Sequence, residues 1–124
     1  MKKTIPVPLE ERIFAIRGQR VMLDRDLAEL YGIETRILNQ AYQRNRERFP
    51  DGFAFRLTAG EQSGVISVCE RLRPLIHSNQ PSLAFSDYGV AMLSSVLRSP
   101  KAVRVNVQII RTNRSRRSLR PWGV

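Results

Sequence analysis

The chain has 124 residues, with 21 Lys and Arg against 11 Asp and Glu, and a single cysteine. This length fits one small domain with one modest core. No apolar run approaches the roughly 20 residues of a membrane-spanning helix, and the N-terminus lacks the pattern of a secretory signal. One cysteine excludes an internal disulfide framework and a cysteine-based zinc cage. We therefore expect a cytoplasmic protein, and the net charge of +10 points to a polyanionic partner.

The charged residues are unevenly distributed along the chain. Residues 1–71 contain 12 basic and 10 acidic side chains, whereas residues 72–124 contain nine basic side chains and one acid, Asp87. The second half therefore has the electrostatic footprint of a nucleic-acid-binding protein. We predict three segments, which are a loose N-terminal arm at 1–11, a folded domain at 12–111 and a basic, unordered tail at 112–124.

The first third of the chain predicts a β-hairpin followed by two helices. Residues 13–23 have apolar runs on both sides of Gly18, the pattern of a hairpin with glycine in its turn. Asp24 or Asp26 would supply the N-cap of a first helix, which Gly32 would end. A second helix follows and ends ahead of the next proline.

The remainder of the chain predicts two short strands and three further helices. The strands would lie at residues 53–57 and 83–85. The spacing from Thr58 to Glu61 predicts a capping box at the start of a third helix, and Ser86 would cap a fourth. A fifth helix would open at the next Ser-Pro pair, with an apolar stripe formed by Val103, Val107 and Ile110. The sequence thus predicts a small α+β domain.

Residues 24–43 have the features of a helix-turn-helix. Ala28 supplies the small residue where two helices meet, and Gly32 supplies the left-handed turn between them. In this motif the second helix enters the DNA major groove, and side chains in its N-terminal part reach base edges. The side chains predicted to contact bases are those of Thr35, Arg36, Asn39, Gln40 and Gln43.

Arginines beyond that face predict contacts with the DNA backbone. The guanidinium group forks onto phosphate oxygens, and each phosphate engaged releases counterions, so that binding would depend strongly on salt. The residues predicted to make these contacts are Arg44, Arg46 and Arg48 near the end of the second helix and Arg114, Arg116 and Arg117 in the tail.

No pattern in the sequence indicates catalysis. Asp24, Asp26 and Glu29 could be considered as magnesium ligands, but acidic residues in the first turn of a helix are expected for the helix dipole alone. His77 by itself cannot build a zinc site, and Cys69 is expected to be a buried, inert thiol. The glycines form neither a phosphate-binding loop nor a dinucleotide fingerprint. We therefore expect no enzymatic activity, no metal site and no cofactor.

Three stretches of the sequence resemble the ORF6N domain family, which is related to the KilA-N and Bro-N domains of phages, large DNA viruses and bacteria. The stretches are IRGQRVMLDRDLAELYG at 16–32, NRERFPDGFAFRLT at 45–58 and AFSDYGVAMLSSVL at 84–97. Together the resemblance extends over residues 12–110, and it implies a small DNA-binding domain that is often joined to phage antirepressor or regulatory modules. It carries over no catalytic residue.

The sequence departs from that family at two places. Asp87-Tyr88 stands where a Glu-Gln pair is expected, and the basic tail replaces an apolar-patterned helix. The chain is therefore expected to be a stand-alone or truncated member.

The function that we expect is sequence-preferring binding of double-stranded DNA by a phage-derived transcriptional regulator. The alternative is an antirepressor-type module that docks on a repressor protein. RNA binding would follow from charge alone, without a module signature. A homodimer would imply paired half-sites about one helical turn apart, but no coiled-coil heptad argues for one, so that the oligomeric state stays open.

Overall fold

The computed structural model describes residues 7–78 and 80–119, with side chains described as far as Asn113. Within these residues the strands are β1 (Phe14–Ile16), β2 (Gln19–Leu23), β3 (Ala54–Arg56) and β4 (Leu83–Phe85). They form one antiparallel sheet in the order β1-β2-β4-β3. The sheet together with the helices confirms the predicted α+β class.

The described residues form both α-helices and 3-10 helices. The α-helices are α1 (Asp24–Tyr31), α2 (Thr35–Arg44), α3 (Ala59–Val68), α4 (Asp87–Leu97) and α5 (Pro100–Leu119). The 3-10 helices are Leu9–Arg12, Arg46–Arg48 and Glu70–His77. The first of these falls partly within the predicted N-terminal arm, of which residues 1–6 lie outside the described residues.

Local signals in the sequence place several element boundaries correctly. Arg17 and Gly18 both have positive φ, 56° and 76°, as a tight hairpin turn requires. Gly32, with φ 77°, ends α1 in the left-handed conformation. Thr58 and Glu61 form the predicted capping box at the start of α3.

Both faces of the sheet are covered, because successive side chains of a strand point to opposite sides. Met22 and Phe85 pack with α1, α2, α4 and α5 on one face. Val21, Leu23 and Ala84 pack with α3 and the 3-10 helix after it on the other. This arrangement buries one side of α2 against the sheet and leaves its polar side facing outward.

The N-cap prediction for α1 is wrong, because both aspartates have partners elsewhere in the fold. The N-cap position is a leucine whose side chain makes no capping hydrogen bond. Asp24 accepts a hydrogen bond from the backbone N–H of Leu83 in β4 at 3.3 Å. Asp26 is fully buried and accepts hydrogen bonds from the side chains of Arg12 at 2.9 Å and Arg71 at 2.7 Å. The two carboxylates therefore join α1 to the sheet, to the N-terminal segment and to the 3-10 helix Glu70–His77.

The buried face of α5 differs from the predicted stripe. Val103 and Val107 are 47% and 43% exposed. The buried positions are Ala102, Asn106, Ile109 and Asn113. The side chain of Asn106 accepts a hydrogen bond from the hydroxyl of Tyr31 at 2.5 Å and donates to the carbonyl of Val90 at 2.8 Å, which offsets the cost of its burial. The side of α5 that faces the core therefore differs from the predicted apolar stripe, and it includes a polar residue whose hydrogen bonds are satisfied.

The backbone of α5 continues to Leu119, although the apolar pattern stops at Thr112. Asn113 anchors this part of the helix, since its side-chain amide donates to Asp87 and its backbone carbonyl oxygen accepts from Arg20 at 2.5 Å. The predicted tail therefore begins as helix. The side chains of Arg114, Arg116 and Arg117, and all of residues 120–124, lie outside the described residues.

Candidate nucleic-acid interface

Helices α1 and α2 pack as a pair joined by the tight turn that the sequence predicts. Beyond Gly32, the N–H of Ile33 donates to the carbonyl oxygen of Ala28 at 3.0 Å, which closes the end of α1. Leu38 and Tyr42 of α2 are buried in the same core as Ala28. Since one side of α2 is fixed in this way, its remaining side chains are held on a defined surface.

The outward side of α2 lines a groove of about 490 Å³, which we call the α2 groove. Five of the predicted contact residues line it, namely Arg36, Asn39, Gln40, Gln43 and Arg44. Arg56 of β3 and Gln80 line it as well. Every one of these side chains is an arginine or a carboxamide. Because these lining residues include no carboxylate and no apolar side chain, the α2 groove suits an anionic ligand that carries hydrogen-bonding groups.

A second cleft, of about 830 Å³, adjoins the α2 groove and shares Asn39, Arg56 and Gln80 with it. The remaining predicted base-contact residue, Thr35, lies in this side cleft. The side cleft also contains carboxylates, contributed by Asp24, Glu29 and Glu34. The surface around α2 therefore has a basic part and a mixed part, which meet at the shared residues.

Asn39 is a predicted contact residue that also interacts with the protein itself. It is half-buried, and its side chain makes a hydrogen bond with the carboxylate of Asp24. Burial raises the pKa of Asp24 above its ordinary value, while hydrogen bonds from backbone N–H groups and Asn39, and the positive charge of Arg56, act in the opposite direction. Asn39 thereby holds α2 to the start of α1, whereas Gln40 and Gln43 are exposed.

Arg46 and Arg48 lie away from the α2 groove. The guanidinium of Arg46 lies over the ring of Tyr42, 5.4 Å from its centroid. Arg48 donates to the hydroxyl of Ser95 on α4 at 3.2 Å. The structure therefore groups Arg44 with the base-contact candidates and directs the next two arginines toward other surfaces.

Sequence reasoning missed Arg56 and Gln80 as members of the site. Arg56 lies in a strand that was predicted, but strand alternation does not reveal which helix a side chain will face. Gln80 follows the 3-10 helix Glu70–His77, far from α2 in the sequence. Only the pairing of Arg56 with Leu83 across β3 and β4 brings these segments beside α2.

The sequence also offered candidate metal ligands, which the structure places in the described part of the chain. Among these residues, no group of three or more His, Cys, Asp or Glu side chains could hold a metal ion. Asp26, a candidate magnesium ligand by sequence, is paired with two arginines. His77 is exposed and Cys69 is only partly buried. No helix within residues 7–78 and 80–119 has the length and apolar character needed to cross a membrane.

A family model described as the ORF6N domain matches residues 11–96. The chain belongs to the ORF6N domain family. The match includes the whole sheet and α1 to α3, together with every residue that lines the α2 groove, whereas α5 begins beyond it. The resemblance inferred from the three sequence stretches is thus confirmed. No curated protein sequence and no solved structure matches the chain significantly.

Proposed function

We propose that this ORF6N domain protein binds double-stranded DNA through the α2 groove and acts in the cytoplasm as a phage-type transcriptional regulator without enzymatic activity. The observation that supports this most directly is the composition of the groove. All seven lining side chains are arginines or carboxamides, and five of them belong to α2, whose other side is fixed in the core. Arginine and carboxamide groups are the ones that read base edges and bind phosphates.

Within the α2 groove we assign a different role to each type of side chain. Gln40 and Gln43 are exposed and can each form two hydrogen bonds with an adenine edge, while Arg36 can do so with guanine. Arg44, at the last turn of α2, is assigned to a phosphate. Asn39 has its contact with Asp24, so that it mainly positions α2.

Docking on a repressor, as an antirepressor does, is the alternative function. A stable protein interface is built around an apolar core, and the α2 groove has no apolar side chain among its lining residues. A pull-down from host lysate with nuclease treatment separates the two functions. A repressor retained after nuclease treatment would favour the alternative, whereas loss of all partners would favour DNA binding.

The direct test is selection of bound sequences from a random duplex pool, followed by affinity measurements on the variant R36A/Q43A. We expect the native protein to enrich a sequence motif. The variant should lose about tenfold or more in affinity for that motif, because a good bidentate base contact contributes about 1–3 kcal/mol. Its binding to unrelated duplexes should change less.

The matched control is R73A/Q108A. Both of these side chains are exposed, neither lines the α2 groove or the side cleft, and the residue types removed are the same. Equal losses in the two double variants would mean that only overall charge matters. Recovery of no motif would reduce the proposal to non-specific binding.

A further inference from the structure

Arg56 and Gln80 line the α2 groove without belonging to α2, and the fold holds Arg56 in place. Its backbone pairs with Leu83 in the sheet. One guanidinium nitrogen, Nη1, donates to the carbonyl oxygen of Pro81 at 2.8 Å. The side chain is half-buried, and the negative charge of Asp24 lies near it. A cation held in this way loses less conformational freedom on binding a ligand than a fully exposed arginine does.

Gln80 is exposed, and its backbone makes hydrogen bonds with the side chain of Ser78. The hydroxyl of Ser78 donates to the carbonyl oxygen of Gln80 at 2.7 Å and accepts from its N–H at 3.4 Å. Gln80 lines both the α2 groove and the side cleft, and Arg56 lines both as well.

The geometry of a helix in the major groove indicates what Arg56 and Gln80 would meet. The major groove is about 12 Å wide and is bounded on both sides by sugar–phosphate backbone. A protein surface that stands beside the recognition helix therefore faces backbone and not base edges. Arginine and carboxamide donors on such a surface contact phosphate oxygens, which position the protein without reading sequence.

Carboxylates in the side cleft limit where a phosphate backbone can lie. Glu29 and Glu34 are 68% and 70% exposed there, paired with Arg12 and Arg36 at 3.1 and 3.0 Å. Asp24 and Glu29 line the side cleft and not the α2 groove, whereas the Glu34 carboxylate also pairs with Arg36 of the α2 groove. A phosphate would therefore be favoured at Arg56 on the α2 side and disfavoured deeper in the side cleft.

We propose that Arg56 and Gln80 form a second DNA-binding wall of the α2 groove. In this wall Arg56 binds a backbone phosphate of the DNA strand that lies alongside α2. This inference rests on the proposed function, since it assigns the residues that hold the duplex in register while α2 reads it. Arg56 positions the duplex relative to α2 in this scheme, and Gln80 contacts the DNA backbone next to it.

The test compares R56Q and R56K on the selected duplex and on an unrelated duplex over a range of salt concentrations. We expect R56Q to lose about tenfold in affinity on both duplexes, as for one charge-assisted hydrogen bond. The slope of log K against log salt should fall in magnitude by about 0.9, the value for one phosphate contact. R56K should keep the salt slope and recover part of the affinity, because it keeps the charge but not the fork. R73Q, on a surface outside both clefts, should change neither the affinity nor the salt slope.

A second measurement does not depend on how R56Q folds. A photo-crosslinking amino acid at position 80 should form an adduct with duplex DNA, whereas the same group at Ser63, an exposed position on α3, should not. If R56Q keeps its affinity and position 80 gives no adduct while R36A/Q43A still weakens binding, the second wall is wrong and the proposed function stands. If all of these variants bind like the native protein, both proposals fail. A change of sequence preference in R56Q would mean that Arg56 reads a base, which would overturn its assignment to phosphate.

Discussion

The carboxylate of Asp26 is fully buried, and it is neutralised by arginines from two other segments of the chain. Arg12 precedes the hairpin, and Arg71 lies in the 3-10 helix Glu70–His77. Charges are rarely buried unless they are paired, because desolvation is costly. This cluster therefore fixes where α1 lies relative to the N-terminal segment and the far side of the sheet. It also explains why this acidic residue near the start of α1 does not act as its cap.

Gly89 is the glycine whose replacement we expect to be most damaging. A Cβ atom there would lie 2.0 Å from the carbonyl oxygen of Phe53 and 3.3 Å from the ring of Phe85. The same carbonyl accepts a hydrogen bond from the N–H of Ser86 at 3.0 Å, so that it cannot easily move away. We expect G89A to lower the free energy of unfolding by about 1–3 kcal/mol, the usual cost of overpacking. Urea denaturation measures this change.

The control is G64A, which makes the same chemical change at an exposed position in α3. A Cβ atom at Gly64 would meet nothing within 4 Å. The substitution should raise the free energy of unfolding by about 0.5–1 kcal/mol, because alanine is favoured over glycine inside a helix. A similar effect of the two substitutions would show that the close approach of α4 to Phe53 does not exist in solution.

At the scale of elements, the β-hairpin is fastened to the start of α3 by one ion pair. Arg17 in the hairpin turn donates to Glu61 at 2.8 Å and stacks over the ring of Phe55 at 4.0 Å. The hydrogen bond from Arg17 and a second one from the backbone N–H of Thr58 lower the pKa of Glu61 to about 2. The capping box of α3 and the hairpin thus share one carboxylate.

This arrangement predicts a loss of stability in acid. The folded pKa of Glu61, about 2, is below the ordinary value of 4.5. The contribution of the pair is therefore complete above pH 4.5 and is lost as the pH falls toward 2. Titration of the Glu61 carboxyl by NMR should give this low value. In R17A the pKa should rise part of the way to 4.5, because the Thr58 contact remains.

The comparison variant for this titration is R73A, which removes an arginine from a different exposed pair. It should leave the titration of Glu61 unchanged. If R17A also leaves it unchanged, Arg17 does not bind Glu61 in solution.

Elements that depend on neighbouring residues were predictable from the sequence, whereas those that depend on distant segments were not. Gly32 and the pair of Thr58 and Glu61 act within one or two turns, and their predicted roles are confirmed. The buried side of α5 depends on Asn106, whose partners come from α1 and α4, so that an apolar pattern selected the wrong side. The α2 groove shows the same limit. Its α2 wall could be predicted from residues 34–44, but its other wall requires the sheet to be assembled first.

At the scale of the whole molecule, the position of the basic residues matters more than their total. The formal net charge is +10, and much of the excess lies in residues 72–124. The α2 groove itself lies mostly in the nearly balanced half, although three arginines line it with no acid among the lining residues. A long helix, α5, extends from the folded core into the predicted basic tail, residues 112–124. We therefore expect the α2 groove to provide sequence selectivity for DNA, and the basic residues of 72–124 to provide general affinity for it.

This division predicts the behaviour of the triple variant R114Q/R116Q/R117Q. The three arginines follow Asn113, whose side chain donates a hydrogen bond to Asp87 on α4. If they bind phosphates, the slope of log K against log salt should decrease in magnitude by about 0.9 for each phosphate that is no longer bound. The order in which different duplexes are preferred should stay the same, because backbone contacts carry no sequence information. Affinity measured at several salt concentrations on the selected motif and on single-base mismatches tests both expectations. A changed order of preference would mean that these arginines read bases, and that selectivity is not confined to the α2 groove.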